Sequence, residues 1–316
     1  MIRAALVLFT LLSLVTPAHA QSGALFLLVP FGARAVAQGD AVAADTALGS
    51  ESVWWNPAGA ARGARREIAV HHNTTFASTN DMVAFVIPSK MMGTVSGAFY
   101  LANYGDLPVT EGPGVELGIA STHNYMAALS YASEVGSRLS VGLTYKFLML
   151  RFLCSGYCPF PTFTGSTSAV DLGIQYRVPV SMPMVVGASL RNLGPPLQVK
   201  DREQADPLPR QFQIGGRARL PIPLLARNES SLDIMADLKQ SEVLGGLAGG
   251  VGAVVSYREE FFLRTGYYKQ PGEGSGPSIG LGAELGNFTL DIARRFDRIS
   301  SEIGQTPTFI SLGVRF

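Results

Sequence analysis

Residues 139–147, LSVGLTYKF, decide the fold class, because their apolar residues alternate strictly with small, hydroxylated or charged ones. Every second residue from Leu139 to Phe147 is apolar or aromatic, and a period of two places them on one face of a β-strand. The same alternation recurs at 170–178 (VDLGIQYRV), 212–220 (FQIGGRARL), 232–238 (LDIMADL), 288–293 (FTLDIA) and 309–316 (FISLGVRF). The chain is therefore predicted to be all-β.

Composition and charge exclude several classes of protein. Of 316 residues, 47% are hydrophobic and 16% charged, which is too apolar for a disordered chain. Because 25 Lys and Arg nearly balance 24 Asp and Glu, the net charge predicts no nucleic-acid partner.

Residues 1–20 have the organisation of a secretory signal peptide. Arg3 supplies the basic start, residues 4–15 an apolar run, and Ala18 to Ala20 a small-x-small cleavage site, so the mature chain is predicted to begin at Gln21. The alternative, a membrane-anchoring helix, is disfavoured because the run is too short for a hydrocarbon core of about 30 Å and ends at Pro17. No later segment reaches that length, so an exported chain in a membrane must span it as a closed barrel.

The connections between the alternating segments indicate which β-fold forms. A soluble β-sandwich shows the same alternation, and a β-propeller would show a blade repeat, which this chain lacks. From Glu67 onward we count about fourteen segments, joined alternately by short turns such as 179–183 (PVSMP) and long links such as 154–165 (CSGYCPFPTFTG). This is typical of an outer-membrane protein. We predict an antiparallel transmembrane β-barrel over residues 65–316.

The last strand carries a terminal aromatic residue. Ile310, Leu312, Val314 and Phe316 share one face, and this ending resembles the signal by which the outer-membrane barrel insertion machinery recognises its clients. Outer-membrane lipid and that machinery are therefore the expected partners.

Residues 21–64 do not alternate and are rich in Gly and Ala, with a helical stretch expected around 41–48. Irregular backbone is tolerated at membrane depth only where protein surrounds it. The segment is therefore predicted to be a hatch, or plug, inside the barrel.

One motif in this segment, WWNPAG, resembles the N-terminal signature of PorV/PorQ-type outer-membrane proteins, relatives of the FadL long-chain fatty acid transporter family. The motif comprises Trp54, Trp55, Asn56, Pro57, Ala58 and Gly59, preceded by Gly32-Ala33-Arg34-Ala35, Gly39, Ala41, Ala43 and Asp45. The similarity continues through 190–194, 208–220, 263–268 and the C-terminal strand. One departure is Asp40, where such proteins commonly have a second glycine.

The resemblance implies two functions. One is an accessory of type IX protein secretion, with secretion components and surface cargo as partners. The other is FadL-like transport, in which a small hydrophobic ligand crosses the outer membrane.

The tryptophans invite a local prediction. Pro57 biases Asn56 towards extended geometry, so we expect Trp54 and Trp55 on opposite sides of an extended chain, one against the barrel wall. The alternative is an aromatic anchor at the membrane interface.

Charged residues on the polar face should project into the lumen, because they would be costly facing lipid. They form either a structural network that holds the plug, which we favour, or the lining of a polar path. The candidates are Lys146, Asp171, Arg191, Arg217, Arg219, Asp233, Asp237 and Asp291, with Arg177, Arg264, Glu284 and Arg315.

No residue pattern predicts an enzyme, a cofactor or a metal. His71 and His72 are adjacent in the first strand and face opposite sides, and no nucleophile-elbow motif occurs. Cys154 and Cys158, in CSGYC, are predicted to form a disulfide, since a redox or metal site would need more ligands nearby.

Deleting Phe316 is expected to reduce assembly, because it removes the terminal aromatic residue that the insertion machinery would bind. Phe316→Trp, which keeps an aromatic ring, should assemble normally. The measurement is the fraction of heat-modifiable protein in the outer-membrane fraction. Normal assembly of the deletion variant would show that Phe316 is incidental.

Overall fold

The structure, a computed structural model, describes residues 23–63, 65–89, 91–111, 114–158, 161–199, 205–221, 229–243, 245–271 and 274–316. The predicted signal peptide, residues 1–20, lies outside the described residues. The strands within these ranges are β1 (Glu67–Thr74), β2 (Thr79–Ser89), β3 (Gly93–Thr110), β4 (Glu116–Val135), β5 (Leu139–Gly156), β6 (Phe163–Val178), β7 (Met184–Leu193), β8 (Leu197–Val199), β9 (Ala205–Asp206), β10 (Gln211–Pro221), β11 (Ser230–Ser241), β12 (Gly246–Tyr257), β13 (Phe261–Lys269), β14 (Gly276–Leu285), β15 (Phe288–Arg295) and β16 (Thr308–Arg315).

Fourteen of these strands close into one antiparallel barrel, and β8 and β9 are short strands within the β7–β10 connection. Each barrel strand pairs with its neighbour along the chain, with β7 pairing β10. The ring closes through β1 and β16, where Glu67 lies opposite Arg315. The prediction of an antiparallel barrel of about 14 strands is confirmed.

The alternation places apolar side chains outside and polar ones inside. In β5, Tyr145 and Phe147 are about half exposed, at 52% and 47%, while Thr144 and Lys146 are buried. A barrel with this surface presents hydrocarbon-like side chains to its surroundings, as a membrane barrel must. Aromatic side chains are also exposed outside near the short-turn end: Tyr176, Tyr257, Phe261, Phe288 and Phe316.

The wall is uneven in height. Strands β3 to β6 have 16 to 20 residues, whereas β1, β15 and β16 have eight each. β2 pairs with β3 only up to Asn103, and the β3–β4 register shifts between Asn103 and Asp106. The far end of β3 therefore pairs with β4 alone and rises above the β1–β2 hairpin.

The N-terminal segment (residues 23–63) lies inside the barrel and passes from one end to the other. Gly23 donates its N–H to Pro207 at the long-loop end, and Arg66, just after the segment, pairs with Phe316 at the short-turn end. Its helices are the 3₁₀ turns Leu25–Leu28, Gly49–Glu51 and Pro57–Arg62 and the α-helices α1 (Ala33–Ala37) and α2 (Ser52–Trp55); α3 (Arg298–Ile303) lies in the last long loop.

The helix expected around 41–48 does not form, and that prediction is wrong. The N–H groups of Val42 and Ala43 donate to the Asp237 carboxylate instead of to carbonyls one turn earlier. No helix among the described residues is long and apolar enough to cross a membrane.

The orientation of the two ends can be tested by cysteine labelling in a Cys154→Ser, Cys158→Ser background. Glu302→Cys, in the long loop after β15, should react with an impermeant maleimide on intact cells. Asn287→Cys, an exposed position in the β14–β15 turn, should react only after lysis. The opposite labelling pattern would mean that the barrel has the inverse orientation in the membrane.

Candidate functional site

Glycines on the inward face of the wall allow the N-terminal segment to lie directly against the strands. A Cβ added at Gly187 would meet the carbonyl oxygen of Ala43, and one added at Gly250 would meet that of Gly39. Gly142, Gly173, Gly252 and Gly266 make similar approaches to residues 38–39 and 56–58. These glycines therefore form a lane around the lumen, which we call the glycine lane.

Wall side chains satisfy the irregular backbone that lies in this lane. The Asp237 carboxylate accepts the N–H groups of Val42 and Ala43, each at 2.7 Å. Gln175 donates to the carbonyls of Ala43 and Asp45 at 3.0 Å. Buried backbone groups need such partners, so the wall replaces the hydrogen bonds that secondary structure would supply.

Asn56 forms the corner of the segment. Its backbone is extended (φ −149°, ψ 106°), as the following Pro57 predicts. Its side-chain oxygen accepts the N–H of Ala58 at 3.1 Å, and its side-chain nitrogen donates to Ala43 at 2.7 Å. Pro57, Ala58 and Gly59 then begin the turn Pro57–Arg62, so the predicted hatch motif lies within the barrel.

The tryptophans are not on an extended chain, and that prediction is wrong. Trp54 and Trp55 end helix α2, and the extended geometry begins only at Asn56, the residue before proline. Both are buried in the lumen, so neither contacts lipid as an interface anchor would. The Trp55 indole N–H donates to the carbonyl of Phe31 at 2.8 Å.

Trp54 lies at the centre of an aromatic cluster. Its ring is 4.9 Å from that of Tyr100 and 5.3 Å from that of Phe31, and Phe26 stacks on Tyr100 at 5.8 Å. Wall residues complete this cluster from β2, β4 and β5, namely Met82, Met126 and Leu148. The lumen therefore contains an apolar and aromatic cluster along β2 to β5, beside polar residues such as Asn80 and Lys146.

The predicted charges on β5, β6 and β7 hold the tryptophan pair. Lys146 lies 2.6 Å from Asp171 and 5.9 Å from the centre of the Trp54 ring. Arg191 donates to the carbonyl of Trp54 at 2.8 Å and its guanidinium lies 5.0 Å from the centre of the Trp55 ring. Asp237 instead binds the backbone of the segment.

The remaining predicted charges form a second network near the short-turn end. Arg217 joins Asp45 of the segment, at 3.0 Å, to Asp233, at 2.8 Å. Arg219 contacts Asp233 at 3.0 Å. Asp291 pairs with Arg264, and Arg315 joins Glu67 and Glu284.

This second network, apart from Arg264 and Asp291, lines a cavity of about 940 Å³ that reaches the short-turn end. Its wall includes Arg34, Asp45, Arg217 and Arg177, together with turn residues Glu259 and Glu260. Some of these charges therefore hold the segment and also border an open space, while the prediction of a polar path stays a prediction. The aromatic cluster lies beyond Leu48, whose neighbours Ala47 and Gly49 line the cavity.

Several interior residues were missed by the sequence analysis. Asp40 has φ 60°, a left-handed conformation that glycine adopts most readily, and it pairs with Arg295 and Lys239. Lys239 lies on the same inward face of β11 as Asp237, and Arg295 on the same inward face of β15 as Asp291. The alternation of these strands could therefore have predicted both. Glu51 accepts the N–H groups of Arg34 and Ala35. It lies in the N-terminal segment, where no alternation in the sequence could have predicted this contact.

The adjacent histidines of β1 and the cysteine pair were also predicted. His71 is buried in the lumen, where it contacts Ser50 and lies 5.7 Å from the Phe31 ring, and His72 is exposed, as their adjacent positions predict. Cys154 and Cys158 are joined as a disulfide, with Cα atoms 6.3 Å apart, at the long-loop end.

Comparison with known proteins identifies the fold. No family model and no curated protein sequence matches the chain. Among solved structures, the Ralstonia pickettii toluene transporter TbuX matches at 15% identity and TM-score 0.62, over 92% of this chain and 100% of TbuX. The chain therefore has the fold of this transporter.

Two further structures agree. The CymD monoaromatic hydrocarbon channel matches at 11% identity and TM-score 0.57, over 91% of this chain and 97% of CymD. A Pseudomonas aeruginosa FadL homologue matches at 12% identity and TM-score 0.54, over 91% and 98% of the two chains. None of these three matches supports the narrower resemblance to PorV and PorQ, which stays a prediction.

The hydrogen bonds from Asp237 to the segment can be tested with two adjacent glycines of β10. Gly215→Ala places a methyl group against the Asp237 carboxylate, whereas Gly216 faces outward, where a Cβ meets only Val185 at 3.8 Å. Hydrogen bonds to charged groups contribute roughly 1.5–3 kcal/mol, so Gly215→Ala should lower the free energy of unfolding by about 2 kcal/mol, measured by urea denaturation. Gly216→Ala should be nearly neutral. Equal effects would mean that the Asp237 carboxylate does not help to hold the segment.

Proposed function

We propose that this protein is an outer-membrane channel for small hydrophobic compounds. The observation that carries the proposal is the aromatic cluster around Trp54, Phe31 and Tyr100, which occupies the lumen along β2 to β5. A diffusion pore for polar solutes needs a polar, water-filled interior. An apolar interior instead favours solutes that leave water readily.

The position of the cluster suits an entry site. It lies in the upper part of the lumen and includes Leu27 of the first turn and Leu197 and Leu208 of the β7–β10 connection, which are buried with it. A compound arriving from the long-loop end would have to displace these apolar side chains to reach the rings. The fold shared with a toluene transporter and a monoaromatic hydrocarbon channel supports the same class of compound.

The outer face of the barrel indicates where in the cell the protein is located. A closed barrel with an apolar outer face, aromatic residues near the short-turn end and a predicted signal peptide belongs in the outer membrane. Transport through such a barrel requires no catalytic residue, in keeping with the expectation of a protein without enzymatic activity.

The alternative, an accessory of type IX secretion, rests on the WWNPAG motif. In the structure this motif forms a corner inside the barrel, with the Asn56 side chain bonded to Ala43 and Ala58. It presents no surface to a secreted cargo. The channel is therefore the better-supported function.

The two tryptophans of the chain provide a direct assay of binding, since both lie inside the lumen. Toluene added to the protein in lipid nanodiscs should change the tryptophan emission. Trp55→Phe, which leaves Trp54 beside Phe31 and Tyr100, should keep the response. Trp54→Phe, which leaves Trp55 between Arg191 and Lys239, should lose most of it.

Uptake then tests transport itself. Cells that produce the protein should accumulate labelled toluene faster than cells without it, and labelled glucose equally in both. Absence of any tryptophan response together with unchanged toluene uptake would end the channel proposal. Loss of surface-protein secretion on gene deletion would favour the alternative.

A further inference from the structure

The inner wall of the cavity contains a polar group without a partner. Gln38 follows helix α1 and borders the cavity, and its side chain is fully buried. Among the described residues, neither its amide nitrogen nor its amide oxygen has a hydrogen-bond partner. An unpaired buried amide is costly, roughly 1–3 kcal/mol, so this group should have a partner that enters through the cavity.

The position of Gln38 is fixed by its backbone. Its main chain lies against Gly252 and Gly266 in the glycine lane, and Gln213 holds the neighbouring carbonyl of Asp40 at 3.0 Å. The amide therefore belongs to a rigid part of the segment. A group held in one place without a partner is suited to recognise an incoming one.

Apolar side chains border the same cavity as this amide. Met235 and Val254 are buried and pack with Phe262 as a small cluster, and all three border the cavity. The inner end therefore combines an apolar surface with one amide, which is the usual composition of a small-molecule site.

Charge argues against an anionic ligand at this place. Arg34, one helical turn before Gln38, is the nearest cation on the segment, but its Nε already contacts Asp45 at 3.2 Å. Glu51 also accepts the backbone N–H of Arg34 at 3.2 Å. Arg264, whose guanidinium lies 4.8 Å from the centre of the Phe262 ring, likewise already pairs with Asp291.

The amide itself is neutral and offers both a donor and an acceptor. A hydroxyl group matches both, since it donates one hydrogen bond and accepts others. We propose that the inner end of the cavity, formed by Gln38, Met235, Val254 and Phe262, binds a small neutral hydroxylated aromatic compound, a phenol or an aromatic alcohol. This deepens the proposed function and rests on it, because it adds a second, more polar site beyond Leu48.

The test compares 4-ethylphenol with ethylbenzene, which differ by one hydroxyl group. Calorimetric titration in nanodiscs should show that the wild-type protein prefers the phenol. Gln38→Leu, of similar size, should weaken phenol binding about tenfold, the upper range for one hydrogen bond, and leave ethylbenzene unchanged. Gln240→Leu, on the exposed face of β11, is the matched control and should change neither.

A second variant guards against a folding defect in the segment. Val254→Phe fills the site from the wall and should abolish the preference for the phenol while heat-modifiable migration stays normal. Unchanged phenol binding in both variants would overturn the proposal. A higher melting temperature as the sole effect of Gln38→Leu would also overturn it, because the amide would then be a structural cost that no ligand relieves. The Trp54 response to toluene is independent of Gln38, so failure of the channel itself would be seen separately.

Discussion

Irregular backbone inside a membrane barrel must find partners for every buried N–H and C=O group, and the rest of this structure depends on how that requirement is met. The wall meets it in two ways. Glycines of the lane let residues 38–58 approach the strands, and Asp237, Gln175 and Gln213 bond the backbone that lies there. The strands and the segment therefore form one structure, in which neither part is satisfied without the other.

Fixing the segment also divides the lumen by polarity. Towards the long-loop end it presents Phe26, Phe31 and Trp54 to the apolar wall of β2 to β5. Towards the short-turn end it presents Arg34 and Asp45 to the charged network and the cavity. A solute crossing the barrel would pass from an apolar to a polar environment, and between them the segment is thin, with Leu48 in the cluster and its two neighbours in the cavity wall.

The sequence predicted which side chains face the lumen, because that depends only on the alternation along one strand. Alternation in β5 and β6 placed Lys146 and Asp171 in the lumen, and the same rule covers Lys239 and Arg295, which the analysis left out. It could not pair these charges, because pairing depends on the register between strands and on where the segment lies. The tryptophans were misplaced for a related reason: Pro57 restricts Asn56, but it does not restrict the turn before it, where tertiary contacts with Phe31 and Tyr100 favour a helix.

A shared fold does not by itself determine what passes through a barrel. The transporters that resemble this chain share its strand arrangement at 15% identity or less. At that identity most side chains differ, and a ligand would contact side chains. In the proposed channel the selective elements are few and local: the rings of Phe31, Trp54 and Tyr100 on one side of the segment and the amide of Gln38 on the other. Because the glycine lane holds the segment that carries most of these groups, selectivity and stability depend on the same backbone.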